Sequence, residues 1–308
     1  EPVGVVAGIV PVTNPTSTAI FKIMISLKSR NAIVLSPHPR SVRCIGRTAE
    51  LLMAAARREG APEGAIGCMS LATLQATNEL MKHPDVAVIL ATGGGGLVKA
   101  AYSSGKPAYG VGPGNTPAFI ERTADVERAA ATIIDSQMFD NGTICASEQS
   151  VIVDRAVAAA VQEAFKKYGG HFCSVEETAK LTKLVFKGES MNAETVGQAA
   201  PKLANMAGFT VPALTTVLLC PLEGVGPAWP LSKEKLSPIL AWYEVDGWLA
   251  GCHKSIELLE LGGIGHTMVI HSRDEKVIRE FGLKKPVFRV LVNAPSSQGA
   301  VGYATNLI

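Results

Sequence analysis

The chain has 308 residues, with 29 Lys and Arg against 27 Asp and Glu, which gives a formal charge of +2 at pH 7. This length suffices for two domains, and the near balance of charge argues against a nucleic-acid-binding stripe. No apolar run reaches the roughly 18 residues that a membrane span needs, and no signal-peptide pattern opens the chain. The six cysteines form no C-x-x-C pair, so we expect no metal site and a reducing, cytoplasmic environment.

Apolar runs and helical repeats alternate through the first half of the chain. Continuous apolar runs predict buried strands, and apolar residues at helical spacing predict the helices between them. This alternation predicts a parallel sheet with helices on both faces, whose ligands bind at the carboxyl ends of the strands. The predicted strands are residues 3–10, 32–35, 66–69, 86–91 and 108–111, and the predicted helices are 16–29, 41–59, 71–81, 97–103 and 126–139.

The second half repeats the pattern, apart from residues 208–238, which are rich in proline and are expected to form loops. The fold class is therefore α/β. We place a domain boundary near Gly142, with a cofactor domain over residues 1–142, a catalytic domain over 143–300 and a further segment over 301–308. The predicted strands are residues 150–153, 239–245, 266–270 and 287–292, and the predicted helices are 155–168, 175–186, 248–261 and 274–281.

One cysteine stands out by its surroundings. Cys145 lies in the polar, glycine-containing segment 139–149, between a predicted helix and a predicted strand. A lone cysteine in a protein of this kind is more often a small buried hydrophobe than a reactive group. A short loop between two regular elements can nevertheless expose a thiol, so Cys145 is a candidate nucleophile.

Several glycine-rich segments have two interpretations each. Residues 93–96 follow a predicted strand, where a turn could approach a phosphate, yet Val98 occupies the sixth position and breaks the G-x-G-x-x-G pattern. Residues 110–117 and 234–238 could be rigid turns. His266 follows three nearby glycines and His38 lies between two prolines, and a lone histidine is more often structural than catalytic.

Taken together, these segments resemble the aldehyde dehydrogenase superfamily, and most closely its acylating, coenzyme A-dependent branch. That branch includes acetaldehyde and propionaldehyde dehydrogenases and the aldehyde half of bifunctional aldehyde–alcohol dehydrogenases. The resemblance implies a Rossmann-type cofactor domain and a second α/β catalytic domain. It rests on six phrases in family order: residues 9–17, 36–40, 100–107, 113–117, 139–150 and 262–267.

The resemblance also implies a mechanism. Cys145 would attack the aldehyde, the Asn14 amide and the Cys145 backbone N–H would hold the oxyanion, NAD would accept hydride, and His266 would support the reaction. Glu234 would hold the nicotinamide ribose. The residues that the resemblance assigns to cofactor binding are Pro11, Thr13, Ser36, His38, Pro39, Gly93, Gly94, Gly95, Val111, Gly112, Glu234 and Leu236.

The chain departs from the hydrolytic members in two positions. Val111 stands where they carry a glutamate that activates water, so the thioester should await coenzyme A. Ser36 stands where they carry a lysine, so the adenosine ribose is contacted differently, and NAD over NADP is a family expectation. The resemblance further implies additional chain beyond Glu1 and Ile308 and a homo-oligomer.

Three alternatives remain open from the sequence. The first is an acylating enzyme for an anionic aldehyde, such as sulfoacetaldehyde or a semialdehyde, and the second is a core that has kept the fold without turnover. The third, an acyl-phosphate reductase of related fold, is disfavoured by residues 139–150. The partners expected are the aldehyde, NAD and coenzyme A, without nucleic acid or membrane, either free in the cytoplasm or inside a bacterial microcompartment.

Overall fold

The computed structural model describes residues 1–283 and 285–302. The chain forms two compact units that divide between Pro113 and Gly114. The predicted boundary near Gly142 lies about 30 residues after this division. The strand that follows Gly114 pairs within the sheet of the second unit, and the next helix packs against that sheet. The predicted roles of the two domains stay predictions, and residues 303–308 of the predicted last segment lie outside the described residues.

The first unit is a five-stranded parallel sheet in the order β3-β2-β1-β4-β5, flanked by four helices. Along β1, Val6 and Val10 join the core on one face, and Ala7 and Ile9 join the core on the other. Burial on both faces explains why the strand is a continuous apolar run. The elements are β1 (Val5–Val10), α1 (Pro15–Lys28), β2 (Ala32–Pro37), α2 (Val42–Arg58), β3 (Ile66–Cys68), α3 (Leu74–Lys82), β4 (Val86–Thr92), α4 (Gly95–Tyr102) and β5 (Ala108–Val111).

The second unit begins with β6 (Thr116–Ile120), and its main sheet is parallel in the order β14-β13-β6-β7-β12-β11-β8. The two-stranded antiparallel pair of β9 and β10 lies outside this sheet. The remaining elements are α5 (Val126–Met138), β7 (Glu148–Asp154), α6 (Ala158–Lys167), β8 (Gly170–Phe172), α7 (Val175–Val185), β9 (Phe186–Lys187), β10 (Ser190–Met191), α8 (Ala200–Met206), β11 (Val217–Pro221), β12 (Ile239–Val245), α9 (Gly247–Gly262), β13 (Thr267–His271), α10 (Glu275–Gly282), β14 (Arg289–Val292) and α11 (Ser296–Ala300).

The central strands of the second unit are also buried on both faces. In β7, Val151 and Val153 contact one core cluster, whereas Ile152 contacts the cluster on the opposite face of the sheet. The first cluster includes apolar residues of α5 and α6, and the second includes residues of α9 and α10. The predicted parallel sheet with helices on both faces is thus confirmed in each unit.

Five strands in this unit were not predicted: the short strands β8, β9 and β10, and the longer strands β6 and β11. β6 contains Pro117, which cannot donate to a sheet ladder, and the pairing with β7 shifts register between Thr116 and Pro117. β11 (Val217–Pro221) lies within residues 208–238, which were expected to form loops. It was missed because it is short and prolines surround it in the sequence. In residues 1–283 and 285–302, no helix has the length and apolar character that crossing a membrane requires.

Candidate functional site

The predicted cofactor residues of the first unit lie at one edge of its sheet. All its strands are parallel, so the segments that follow β1, β2, β4 and β5 emerge at their common carboxyl edge. The strand order reverses direction between β1 and β4, and such a switch point opens a crevice for nucleotides in α/β sheets. The predicted residues at or just beyond these strand ends are Pro11, Thr13, Ser36, His38, Pro39, Gly93, Gly94, Gly95, Val111 and Gly112.

The glycine turn after β4 has room for a phosphate. Gly94 is the N-cap of α4, and a Cβ added at Gly94, Gly95 or Gly96 would meet no other atom within 4 Å. At Gly93, by contrast, a Cβ would collide with the side chain of Leu97. The open approach to a helix N-terminus suits the negative charge of a pyrophosphate. The residues present therefore fit a dinucleotide.

Two predicted cofactor residues have side chains that already have protein partners. The Ser36 hydroxyl is buried and lies 2.8 Å from the Thr77 hydroxyl. His38 Nδ1 accepts a hydrogen bond from the Arg40 backbone N–H at 3.2 Å, and burial together with the Arg40 charge lowers the pKa of His38. Both effects disfavour the charged form of the His38 imidazole, and the Ser36 hydroxyl already has a protein partner.

A buried lysine supports the same edge of the sheet. Lys22 Nζ donates hydrogen bonds of 2.6 Å to the carbonyl oxygens of Ile9 and Leu90, near the ends of β1 and β4. Burial lowers the pKa of Lys22 to about 7. Lys22 thus joins the two strands that flank the switch point, a role that no sequence motif indicated.

Asn14 leaves its side-chain amide available. It is the N-cap of α1, yet its side chain makes no capping hydrogen bond. Thr13 Oγ1 donates to Asn14 Oδ1 at 3.2 Å, which orients the amide group. Within residues 1–283 and 285–302, no acceptor binds the Nδ2 donors, so they remain free for a ligand oxygen.

In the second unit, Cys145 is carried by a strained loop between α5 and β7. Asp140 and Asn141 have φ values of 54° and 48°, and the left-handed backbone continues at Gly142. Non-glycine residues in this region store strain, which concentrates at functional sites. The Thr143 hydroxyl donates to Asp140 Oδ2 at 2.6 Å, and the Asn141 side chain donates to the Gly197 carbonyl oxygen at 3.1 Å. These contacts hold the left-handed turn before the cysteine.

Gly114 brings the catalytic candidates together. A Cβ on Gly114 would collide with the carbonyl oxygen of Cys145 and would lie 3.2 Å from Cε1 of His266. The Gly114 backbone N–H also donates to Glu234 Oε1 at 2.8 Å. The structure therefore gathers Cys145, Glu234 and His266 around one glycine, although they lie far apart in sequence.

The three side chains have strongly shifted pKa values. Burial, followed by the negative charge of Glu234, raises the pKa of Cys145 to about 11, while the backbone N–H groups of Cys145 and Ala146 favour the thiolate. Burial raises the pKa of Glu234 to about 7, opposed by the hydrogen bond from Gly114. Burial lowers the pKa of His266 to about 4. At pH 7 the site therefore holds a thiol, a partly ionised carboxyl group and a neutral imidazole.

Arg289 is a site residue that sequence reasoning missed. Its Nη1 donates to Thr267 Oγ1 at 3.1 Å, and Thr267 Oγ1 lies 3.1 Å from His266 Nδ1. The positive charge of Arg289 lowers the pKa values of both Cys145 and His266. Arg289 begins β14 in an ordinary strand pattern, so no local signal distinguishes it from a surface arginine.

Buried polar residues hold the loops of the site in place. Asn115 Nδ2 donates to the carbonyl oxygens of Ser232 and Leu258 at 2.9 and 2.8 Å. Lys235 Nζ donates to three carbonyl oxygens, those of Gln149, Leu231 and Lys233. Lys235 thereby fixes the segment that carries Glu234.

Leu236, a predicted cofactor residue, follows this lysine with a φ of 48°. Its carbonyl oxygen accepts a hydrogen bond of 3.0 Å from the Gly197 backbone N–H. A left-handed leucine is uncommon, so the surrounding contacts impose this conformation. The same Gly197 accepts from Asn141 in the loop that carries Cys145.

Known proteins match this chain along nearly its whole length. The model of the aldehyde dehydrogenase family matches residues 1–177. A bifunctional aldehyde-alcohol dehydrogenase of Escherichia coli K12 is 47% identical over 305 residues, which cover 98% of this chain and 34% of that protein. An acetylating aldehyde dehydrogenase structure from Geobacillus thermoglucosidasius is 50% identical with a TM-score of 0.96, over 99% of this chain and 68% of that chain.

A third match carries a ligand. It is a propionaldehyde dehydrogenase from Rhodopseudomonas palustris with bound propionyl-CoA, 30% identical with a TM-score of 0.90, over 99% of this chain and 68% of that chain. The chain spans about a third of the length of the first of these curated relatives. The family model covers more than half of the 308 residues, and the cysteine loop, the sheet order and the likeness to solved structures agree with it. The chain belongs to the aldehyde dehydrogenase family.

Proposed function

We propose that this protein is an acylating aldehyde dehydrogenase, which converts a short aldehyde, NAD and coenzyme A to an acyl-CoA and NADH. The observation that carries the proposal is the arrangement around Gly114 of the Cys145 backbone, the Glu234 carboxyl group and the His266 imidazole. The likeness to an acetylating aldehyde dehydrogenase at 50% identity supports the same reaction. Acetaldehyde and propionaldehyde are the substrates we favour.

Different residues of the chain act at different steps of the proposed reaction. The neutral His266 imidazole accepts the Cys145 thiol proton as the sulfur adds to the aldehyde carbon. The Cys145 backbone N–H, with the Asn14 amide that the resemblance assigns to the same role, stabilises the oxyanion. NAD, when bound at the carboxyl edge of the first sheet, supplies the hydride acceptor. Collapse of the adduct leaves an acyl thioester on Cys145. His266 releases the first proton to solvent and then accepts the proton of the coenzyme A thiol as the coenzyme A sulfur attacks the thioester carbonyl. It returns this proton to the departing Cys145 sulfur.

Val111 supports coenzyme A as the final acceptor. It ends β5 and its side chain is exposed, and a valine cannot take a proton from water. The thioester therefore lacks, at this position, the carboxylate by which the hydrolytic members activate water. The thiol of coenzyme A then attacks the thioester in place of water. The propionyl-CoA bound by the relative from Rhodopseudomonas palustris supports this role for coenzyme A.

The decisive experiment measures NADH formation from propionaldehyde and NAD, with and without coenzyme A. We expect turnover that requires coenzyme A and is abolished in Cys145→Ala, with NAD binding retained. Cys68→Ala, which removes a half-buried thiol of the first unit, is the matched control and should keep activity. Turnover without coenzyme A would indicate a hydrolytic enzyme, and NAD binding without turnover would indicate a core that keeps only the fold.

Arg289 favours one second candidate, an acylating enzyme for an anionic aldehyde. Its charge acts on both Cys145 and His266, so it could also attract a carboxylate or sulfonate on the substrate. Two acylating relatives, at 38% and 36% identity, are named for succinate semialdehyde and sulfoacetaldehyde.

Comparing kcat/KM for propionaldehyde and succinate semialdehyde in Arg289→Gln separates the two candidates. If the substrate is anionic, the variant should lose about tenfold or more for the semialdehyde alone. Arg273→Gln removes an exposed arginine paired with Asp125 and should change neither value. An equal loss for both aldehydes would assign Arg289 to the Cys145–His266 pair.

The cellular setting stays a prediction. All six cysteines lie in the described part of the chain and are free thiols, which supports a reducing, cytoplasmic environment. Homo-oligomerisation and residence in a bacterial microcompartment are likewise proposals that rest on the family. Size-exclusion chromatography with light scattering would test the first.

A further inference from the structure

A cluster of metal-binding side chains lies away from the catalytic candidates. His171, Cys173 and Glu177 each offer one ligand atom, and these three atoms all lie within 4.8 Å of one another. His171 is in β8, the edge strand, which β11 and β12 separate from the strand that follows Cys145. The cluster takes no part in the reaction proposed above.

Local structure builds the cluster. His171 and Cys173 are two positions apart in an extended segment, so their side chains point to the same side. Ser174 then caps α7, and its backbone N–H donates to Glu177 Oε2 at 2.8 Å in a reciprocal capping box. This hydrogen bond turns the carboxyl group back toward the strand, where Glu177 Oε2 lies 3.3 Å from His171 Nε2.

The ligand atoms keep free capacity. Both hydrogen bonds of the Glu177 carboxyl group use Oε2, and across residues 1–283 and 285–302 no donor contacts Oε1. The Cys173 side chain is buried, whereas His171 and Glu177 are half-buried. A site with one buried sulfur and two partly exposed ligands can be reached by an ion from solvent.

Strand pairing and packing fix the sulfur ligand. The Cys173 backbone N–H donates to the Leu219 carbonyl oxygen at 2.8 Å, which continues the β8–β11 pairing and brings Cys220 beside Cys173. Both cysteines are buried and belong to the same core cluster. The backbone and the side chains around Cys173 are therefore already in place before an ion binds.

We propose that a ring nitrogen of His171, Cys173 Sγ and a carboxylate oxygen of Glu177 bind one zinc ion, with water as the fourth ligand. The mixed nitrogen, sulfur and oxygen set suits zinc, whereas calcium and magnesium prefer oxygen alone. Zinc–ligand bonds of about 2.0–2.3 Å place tetrahedral ligands about 3.3–3.8 Å apart, so binding draws the side chains together. The ion would tie edge strand β8 to α7.

The same contacts would also form if His171 and Glu177 paired with each other beside the Cys173 thiol and no metal bound. The experiment therefore has to distinguish a metal site from this metal-free pair. Chelator-treated protein in a Cys145→Ser background, which removes the catalytic thiol, is titrated with Co²⁺. We expect a near-ultraviolet thiolate–cobalt charge-transfer band and the visible bands of a tetrahedral ion, both lost on addition of Zn²⁺. No cobalt spectrum at all would leave only the ion pair and overturn the proposal.

Variants locate the ion. Cys173→Ser should abolish the charge-transfer band, whereas Cys68→Ser should keep it. Glu177→Gln removes a proposed ligand and should weaken cobalt affinity by about tenfold or more, because loss even of a group that only orients a ligand costs about 10–100-fold. Glu176→Gln, one residue earlier on the same helix and exposed, should bind cobalt as the parent does. A band that survives in Cys173→Ser would refute the site.

A further readout covers the case in which Cys173→Ser does not fold. Zinc should raise the melting temperature of the parent protein and of Glu176→Gln, because an ion that binds only the folded state stabilises it. It should leave His171→Gln unchanged. An equal rise in His171→Gln would show that the ion binds elsewhere.

Discussion

Gly114 organises the catalytic site by having no side chain. Its backbone N–H binds Glu234, and the space of its missing Cβ is filled by the carbonyl oxygen of Cys145 and the edge of His266. The sequence predicted a rigid turn over residues 110–117, yet nothing in that segment indicated that the third of its glycines, Gly114, is the contact point. The requirement arises from atoms about 30 and 150 residues further along the chain.

Replacing Gly114 should therefore lower the catalytic rate by more than a loss of folding stability would explain. In Gly114→Ala the added Cβ must displace the Cys145 backbone, and a displacement of about 1 Å can cost about a hundredfold in rate. We expect kcat to fall by about that factor, measured as coenzyme A-dependent NADH formation. Gly46→Ala, in α2, where a Cβ meets nothing within 4 Å, is the control. Unchanged kcat in Gly114→Ala would contradict the close approach.

At the scale of elements, buried polar residues attach the last helix to the sheet. Glu148, at the start of β7, accepts a hydrogen bond of 2.9 Å from the Ser296 backbone N–H through Oε1. Ser136 in α5 and Ser297 in α11 exchange hydrogen bonds, including one of 3.0 Å from the Ser297 backbone N–H to Ser136 Oγ. Helix α11 is short and was not predicted, because its order depends on these distant partners and not on local propensity.

Glu148 should make stability depend on pH. Burial raises the pKa of its carboxyl group from 4.5 to about 7, so the folded state binds this proton more tightly than the unfolded state. Its favourable contribution is complete below the unfolded pKa of 4.5 and is lost as the pH rises to about 7. A shift of this size corresponds to about 3 kcal/mol.

Urea unfolding at pH values from 5 to 8 would measure this effect. The wild-type protein should lose free energy of unfolding over that window relative to Glu148→Gln, whose side chain does not titrate. Glu189→Gln, at an exposed position, should follow the wild-type curve. Parallel curves for the wild type and Glu148→Gln would mean that Glu148 titrates as it does in the unfolded chain.

At the scale of the whole molecule, the two units have different sheet designs and different predicted tasks. The first unit presents the strand ends and open glycine turn that suit a dinucleotide, whereas the second carries Cys145, Glu234 and His266. Bound NAD should therefore slow hydrogen exchange in the first unit at the carboxyl edge of its sheet. Ligand at a hundred times its dissociation constant stabilises a folded protein by about 2.7 kcal/mol.

Hydrogen exchange with and without NAD would test this assignment. We expect slower exchange over residues 12–14, 38–40 and 93–96, which follow β1, β2 and β4. Residues 83–85, which precede β4 at the opposite edge of the same sheet, should not change. Protection confined to the second unit would show that the predicted cofactor residues are misassigned.

Local sequence predicted most of the longer regular elements of this protein and indicated its family. The apolar run of β1 predicted a strand buried on both faces, and the ordered phrases indicated the family. The first prediction succeeds because hydrophobic periodicity acts within a few residues of the chain. The role of Cys145 as a nucleophile stays a prediction, and burial of its side chain raises its pKa, which the loop pattern did not indicate.

Tertiary structure decided the sheet order, the division at Pro113, and the partners of each site residue. Pro117 concealed β6, and the surrounding prolines concealed β11, because only pairing with neighbouring strands establishes them. The approach of Arg289 to His266 through Thr267, like the His171–Cys173–Glu177 cluster, depends on which strands and helices become neighbours. Long-range contacts of this kind have no local sequence pattern, so they could be found only once the chain was folded.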